Sequence, residues 1–136
     1  YAPYLDSFKI VLKKILGNKS QNYINFLIEK KELDYQPIEF VRGNTYENCT
    51  FILDEVQNLT WHELKTVISR MGDNAKLILT GDINQSDIFF TKGSESGILS
   101  LVNSKEFKES KYSCRVDLVK QYRGPLADLV HKIDNE

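Results

Sequence analysis

The sequence predicts an α/β fold in which a mainly parallel sheet is flanked by helices. Two short apolar runs, Thr50–Leu53 and Lys76–Leu79, are separated by a segment with helical periodicity. A strand, a helix and a second strand within about thirty residues form a βαβ unit, which requires parallel strands. Each run also ends in polar residues, and open α/β sheets bind their ligands at the carboxyl ends of the strands. The same observations therefore predict the fold class and the position of a site.

Length and composition predict one globular domain over residues 1–136. Hydrophobic residues make up 41% of the chain, which is too many for a disordered segment. The net charge of −1 argues against a protein that is basic overall, as many nucleic-acid-binding domains are. No apolar run approaches the length of a membrane span. The two cysteines, Cys49 and Cys114, lie far apart and form no metal or redox motif. Lone thiols of this kind are typical of a reducing compartment, so we expect a cytoplasmic protein.

The first third of the chain predicts two helices and a short strand. Apolar residues recur at helical spacing over residues 4–15. Residues 20–30 predict a second helix. Its expected inward side chains are Tyr23, Ile24, Leu27 and Ile28. Residues 37–41 predict a short strand.

A third helix is predicted to begin after Thr60. Thr60 and Glu63 form a capping-box pattern, in which each side chain bonds the backbone amide of the other residue. The apolar face of this helix comprises Leu64, Val67, Ile68 and Met71. We expect Gly72 to end the helix.

The carboxyl-terminal third predicts two helices and a peripheral strand. Residues 97–102 predict a short helix, and residues 114–118 alternate between polar and apolar as in a strand with one solvated face. Pro125 suits the first position of a last helix. The expected inner face of that helix comprises Leu126, Leu129, Val130 and Ile133.

Polar residues follow both predicted strands. Asp54 and Glu55 end the first apolar run, and residues 80–82 (Thr-Gly-Asp) end the second. Parallel strands bring both ends to one edge of the sheet, where an Asp can hold Mg²⁺ and an adjacent Glu can orient or deprotonate an attacking water. Gln85 follows in a loop, from which its amide can reach a phosphate or that water. A strand followed by a polar turn is the alternative for either end alone, but two converging ends favour a site.

These residues, taken together, resemble the carboxyl-terminal part of a PhoH-like ATPase, a RecA-like P-loop NTPase family related to helicases. Residues 42–45 resemble the R-G-x-T motif of the family, and residues 51–58 resemble its Walker B strand ending in D-E-x-Q-N. Residues 80–87 resemble T-G-D-x-x-Q-x-D. Residues 96–98 match S-G-[LI], and residues 123–126 resemble R-H-P-L. The motifs occur in the family's order over nearly the whole chain.

The resemblance implies a RecA-like core that binds ATP and Mg²⁺, and it implies a role for each matching residue. Asp54 would coordinate Mg²⁺, and Glu55 would activate the water that attacks the γ-phosphate. Gln85 would sense the γ-phosphate. Thr80 and Asp82 would belong to the nucleotide-binding loop, with Asp82 supporting Gln85.

Three further assignments also rest on the resemblance. Arg123 would stabilise charge in the transition state, although a surface ion pair is an equal alternative for this arginine. Gln57 and Arg42 are weaker candidates, which would couple the nucleotide state to a nucleic-acid path. The resemblance also implies RNA or another single-stranded nucleic acid as a partner. A homo-oligomeric ring would supply Arg123 to a neighbouring site, whereas a monomer would use it within its own.

The sequence departs from the family pattern at two places. The phosphate loop and the strand before it, which the family carries upstream of this region, do not occur in these residues, so we expect this segment alone to bind nucleotide poorly. Gly124 stands where the family has His. A non-hydrolysing module that binds nucleic acid or protein is therefore the main alternative to an ATPase. The third hypothesis is a metal-dependent nuclease built on Asp54, Glu55, Asp82 and Asp87.

Overall fold

The computed structural model describes residues 2–17, 20–83, 96–120 and 122–134. Within these ranges the chain forms α1 (Ala2–Leu16), α2 (Ser20–Glu29), β1 (Thr50–Leu53), α3 (Trp61–Ile68), β2 (Lys76–Leu79), α4 (Gly97–Asn103), α5 (Lys105–Glu109) and α6 (Pro125–Asp134). Two short 3₁₀ helices, Ile38–Phe40 and Val56–Asn58, precede and follow β1. The described chain is thus an α/β structure, as its sequence predicts.

The two strands pair in parallel with α3 between them in sequence. Thr50 lies opposite Lys76, and Leu53 lies opposite Leu79. An isolated parallel bridge between Tyr46 and Met71 adds a contact before the amino ends of the strands. The predicted βαβ unit is therefore confirmed, with the register that brings both carboxyl ends to one edge.

The capping box predicted for α3 is present. The Thr60 side chain accepts a hydrogen bond from the Glu63 amide at 3.3 Å, and the Glu63 carboxylate accepts one from the Thr60 amide at 2.9 Å. Leu64 and Val67 are fully buried, and they anchor the helix in the core. Capping and burial together define the beginning and the inner face of this helix.

The carboxyl end of α3 falls earlier than predicted, at Ile68 instead of just before Gly72. Tyr46 causes the early end, because its backbone accepts from the Gly72 amide and donates to the Arg70 carbonyl, each at 2.8 Å. Through these bonds residues 70–72 pair with Tyr46 as neighbouring strands do, and the helix cannot continue through them. A Cβ on Gly72 would lie 2.7 Å from the Glu47 Cγ, so a larger residue there would displace the Glu47 side chain.

Among the described residues the sheet is covered on one face only, whereas the sequence predicts a sheet flanked by helices. Along both strands exposed and half-buried residues alternate. Ile52 and Ile78 point to the open face, and they are 52% and 39% exposed. The fully or almost fully buried apolar side chains lie elsewhere. They are Ile24, Val41, Val56, Leu64 and Val67.

Two predicted strands do not form. Residues 37–41 contain the 3₁₀ helix Ile38–Phe40, because Pro37 offers no amide to a sheet and its carbonyl accepts locally from the Phe40 amide at 3.0 Å. Residues 114–118 belong to no helix or strand. Val116 and Leu118 in that segment are 76% and 93% exposed. Alternation of polar and apolar residues favours an extended backbone, but a strand also needs a partner for its hydrogen bonds.

The apolar faces of α2 and α6 are only partly as predicted. On α2, Ile24 is fully buried, whereas Tyr23 is 50% exposed and Ile28 is 37% exposed. On α6, the four residues of the expected inner face are between 54% and 81% exposed. Helical periodicity identifies an apolar face, but it does not identify the surface that covers the face. None of the described helices combines the length and the apolar character needed to cross a membrane.

Candidate functional site

The carboxyl ends of the two strands are joined by backbone hydrogen bonds that continue beyond the sheet. The Thr80 amide donates to the Leu53 carbonyl at 3.0 Å, and the Val56 amide donates to the Thr80 carbonyl at 3.1 Å. The chain after β1 therefore bends over the end of β2. This places residues 54–57 beside residues 80–82, which we call the strand-end site.

Asp54 is tied to the neighbouring strand end through one oxygen of its carboxylate. Its Oδ1 accepts from the Thr80 hydroxyl at 2.5 Å and from the Glu55 amide at 2.9 Å. Both bonds orient the carboxylate, and the side chain nevertheless remains exposed at the edge of the sheet. Asp54 is thus an oriented anion that is open to a ligand.

Glu55 adopts a left-handed backbone conformation with φ 56° and ψ 38°. This conformation costs a non-glycine residue about 1–2 kcal/mol. It redirects the chain from β1 into the 3₁₀ helix Val56–Asn58. The Glu55 carboxylate is oriented as well, because its Oε2 accepts from the Gln57 Nε2 at 2.5 Å.

Gln57 lies at the centre of the site. Its side chain is only 2% exposed. The carboxamide donates to the Glu55 carboxylate, and its Oε1 accepts from the Asp82 amide at 3.2 Å. A single buried side chain therefore bridges the two strand ends.

Gly81 provides the space for this bridge. A Cβ at this position would collide with the Gln57 Oε1 and would lie 3.1 Å from the Val56 amide nitrogen. Because the colliding groups include backbone, a side chain at position 81 would displace either the carboxamide or the strand end. The close approach of residues 56 and 57 to the second strand end therefore depends on glycine.

Hydrogen bonds join five of the predicted site residues to one another. Those that meet are Asp54, Glu55, Gln57, Thr80 and Asp82. Gln85 lies outside the described residues, as does Asp87.

The two predicted arginines, Arg42 and Arg123, are exposed. Arg42 lies in a turn before Tyr46, which is paired near the amino ends of the strands. Arg123 lies just before α6. No hydrogen bond or ion pair in the described ranges joins either arginine to the site. Their predicted roles stay predictions.

The donor set suits a magnesium ion that is shared with phosphates. Mg²⁺ usually keeps several waters and binds to one or two carboxylates together with phosphate oxygens. The exposed Asp54 carboxylate, with the Thr80 hydroxyl beside it, supplies such a limited set of oxygens. Within the described residues, no group of three or more His, Cys, Asp or Glu side chains is arranged to hold a metal ion. The nuclease hypothesis also includes Asp87, which lies outside the described residues, so it stays a hypothesis.

A cavity of about 430 Å³ lies elsewhere, beside α4 and α5, and it includes none of the predicted site residues. Its lining comprises Val102, Asn103, Phe107, Lys108, Ser113, Cys114 and Arg115. Sequence reasoning also missed Val56, which is 2% exposed and whose amide joins the strand ends. A role that rests on a backbone amide leaves no signal in the identity of the residue.

Comparison with known proteins identifies the family of this chain. The family model described as PhoH-like protein matches residues 1–134. Protein PhoH of Escherichia coli K12 is 36% identical over 88 residues, which are 65% of this chain and 25% of that protein. The PhoH-like protein of Bacillus subtilis is 34% identical over 96 residues, which are 71% of this chain and 28% of that protein.

A third relative, protein PhoH2 of Thermobispora bispora, extends the match along more of the chain. It is 30% identical over 111 residues, which are 82% of this chain and 25% of that protein. The matched part of the chain thus spans about a quarter of the length of each of these relatives. Because the family model covers nearly every residue, the chain belongs to the PhoH-like protein family.

Proposed function

We propose that this chain is part of a Mg²⁺-dependent ATPase with a RecA-like core, and that the strand-end site carries its hydrolytic residues. One observation supports the proposal above all. Two neighbouring carboxylates, Asp54 and Glu55, stand exposed at the joined carboxyl ends of parallel strands, and each is oriented by a hydrogen bond from a different group. Phosphoryl transfer needs mainly positioning and electrostatic stabilisation, which oriented carboxylates of this kind provide.

Glu55 is the residue proposed to act on the attacking water. Its carboxylate accepts a proton as the water oxygen bonds to the γ-phosphorus, and the bond between that phosphorus and the β–γ bridging oxygen breaks to release ADP. The left-handed backbone supports this role, since strained conformations at exposed polar residues are typical of functional sites.

Asp54 is proposed to hold the magnesium ion, with Thr80 as its support. When bound, Mg²⁺ neutralises charge on the β- and γ-phosphates. The Thr80 hydroxyl keeps one carboxylate oxygen of Asp54 in a bond across the two strands. Gln85 is proposed to contact the γ-phosphate and Arg123 to stabilise the transition state, while Arg42 remains the proposed link to a nucleic-acid path.

Single-stranded RNA is the proposed partner, and two exposed tyrosines support it. Tyr112 is 87% exposed with the Lys111 ammonium 5.0 Å from its ring centroid, and Tyr122 is 82% exposed with the Lys120 ammonium at 4.9 Å. Exposed aromatic rings beside cations bind single strands, because the rings stack on bases while the cations meet the phosphates. These surfaces would serve equally in the alternative function, a non-hydrolysing RNA-binding module.

Steady-state ATP hydrolysis by the full-length gene product, with and without single-stranded RNA, tests the proposal. We expect Mg²⁺-dependent phosphate release that falls at least about 100-fold in Glu55→Gln, because an amide cannot accept the proton. Glu109→Gln serves as the matched control, since that carboxylate is exposed and lies 4.0 Å from Lys105 on α5. Absence of turnover in the wild type, combined with RNA binding, would establish the binding module instead.

A further inference from the structure

The buried carboxamide of Gln57 has a geometry that the hydrolytic roles described above do not use. The side chain is 2% exposed, although glutamine normally remains in contact with solvent. Burial of an amide costs free energy unless its hydrogen bonds are made, and here both ends of the amide are bonded. The carboxamide thus has a defined position and a defined orientation.

The two bonding partners fix which end of the amide faces which group. A carboxylate such as that of Glu55 only accepts hydrogen bonds, and the backbone amide of Asp82 only donates. The Nε2 must therefore face Glu55, and the Oε1 must face Asp82. An ionised glutamate at position 57 could not donate to Glu55. Asparagine is one methylene shorter than glutamine and would not reach both partners, so both bonds of the bridge require glutamine.

We infer that Gln57 is a positioning residue, which sets the Glu55 carboxylate relative to the loop that begins at Thr80. The bridge joins the first strand end to the second across 25 residues of sequence. A movement of the Asp82 backbone is transmitted through one rigid amide to the Glu55 carboxylate. The inference rests on the proposed function.

Gly81 provides the space in which the Gln57 bridge forms. Its missing Cβ leaves the volume that the Gln57 Oε1 and the Val56 backbone occupy. Gly81→Ala therefore disturbs the carboxamide without altering Gln57 or Glu55. The structure thus offers two independent ways to break one bridge.

The test measures ATP hydrolysis by the full-length gene product in two backgrounds. In the wild-type background, we expect Gln57→Met to lower kcat about 10- to 100-fold, because a displaced catalytic group loses rate on that scale. KM for ATP should change by less than about threefold, since the carboxamide is buried and bonded to Glu55 and to the Asp82 amide. In the Glu55→Gln background, single-turnover hydrolysis should show no further loss, because the residue that Gln57 positions has lost its function.

Two additional variants keep the test interpretable. Gln21→Met makes the same substitution on the exposed surface of α2, where the Gln21 Nε2 donates to the Asn25 Oδ1 at 3.1 Å within one helix, and we expect unchanged kcat. Gly81→Ala should reproduce the loss in kcat with a similarly small change in KM. It decides the question if Gln57→Met does not fold, as judged by circular dichroism.

The outcomes separate this inference from the proposed function. A wild type without turnover, or a fully active Glu55→Gln, would overturn the proposed function and the positioning role together. An active wild type that depends on Glu55 but keeps its kcat in Gln57→Met or in a folded Gly81→Ala would overturn the positioning role alone. Equal losses in both backgrounds would also overturn it, because such additivity indicates a purely structural side chain.

Discussion

The strand-end site and the carboxyl-terminal region of this chain are built in opposite ways. At the strand ends, side chains and backbone of residues 53–57 bond directly to residues 80–82, and Gln57 is almost fully buried. Over residues 114–133, apolar side chains such as Leu118 and Leu126 are 93% and 81% exposed. The strand-end site is therefore fixed by direct hydrogen bonds between its two segments, whereas no described residue covers the apolar surface of α6.

The largest expected effect on stability comes from the buried face of α3. Leu64→Ala removes a fully buried side chain from α3, and we expect it to lower the free energy of unfolding by about 2–5 kcal/mol. Leu126→Ala is the matched change on α6, where an 81% exposed side chain should cost less than about 0.5 kcal/mol. Urea unfolding of the full-length protein, followed by circular dichroism, measures both. Equal losses would show that α6 is packed as tightly as α3.

Gly81→Ala tests how closely the two strand ends approach each other. We expect a loss of about 1–3 kcal/mol in the free energy of unfolding, because a Cβ would collide with the Gln57 side chain and crowd the Val56 backbone. Gly124→Ala provides the control, since nothing lies within 4 Å of its Cβ position, one residue before the start of α6. The same unfolding measurement applies. A neutral Gly81→Ala would mean that the strand ends have room to separate.

The capping box of α3 should contribute a smaller amount. Thr60→Ala removes the side chain that accepts from the Glu63 amide, and such losses cost about 1 kcal/mol. Thr66→Ala, within the same helix, removes only a hydroxyl that bonds the His62 carbonyl and should be nearly neutral. Thermal unfolding distinguishes the two variants. If Thr66→Ala proved the more damaging, the helix would not depend on its cap.

The last prediction concerns RNA binding by the exposed tyrosines, for which the expected effect is comparable in size with that of the cap. Tyr112→Ala and Tyr122→Ala should each weaken binding of single-stranded RNA by about 1 kcal/mol or somewhat more, which corresponds to roughly a fivefold higher Kd. Fluorescence anisotropy with a labelled oligonucleotide measures this. Tyr35→Ala removes a tyrosine between α2 and the 3₁₀ helix Ile38–Phe40, far in sequence from Tyr112 and Tyr122, and serves as the control. Unchanged binding in both variants would exclude these rings from the RNA surface.

The sequence predicts the strand-end site well where the signal is local. The apolar runs, the polar residues that end them and the T-x-x-E cap all lie within short windows, and the structure confirms the parallel pair and the cap. The parallel geometry then requires Asp54 and Thr80 to meet, because the pairing register places Leu53 opposite Leu79.

What the sequence did not predict depends on contacts between distant residues. The bond from the Asp82 amide to Gln57 and the early end of α3 at Tyr46 follow from the way separate segments pack. Residues 37–41 and 114–118 carry strand-like patterns, but neither pairs as a strand with any segment that the structure describes. The pattern of a single sequence does not identify the strand that would pair with such a segment. It also does not identify the surface that would cover the apolar face of a helix such as α6.

The most direct test of the account compares ATP binding with ATP hydrolysis in wild type and Glu55→Gln. With full-length protein in excess over Mg²⁺-ATP, the Kd for ATP and the single-turnover rate of phosphate release are measured on the same preparations. The account predicts an unchanged Kd within about threefold and a rate of hydrolysis reduced by at least about 100-fold, since Glu55 acts on water and not on the nucleotide. A Glu55→Gln protein that hydrolyses bound ATP at the wild-type rate would contradict the account.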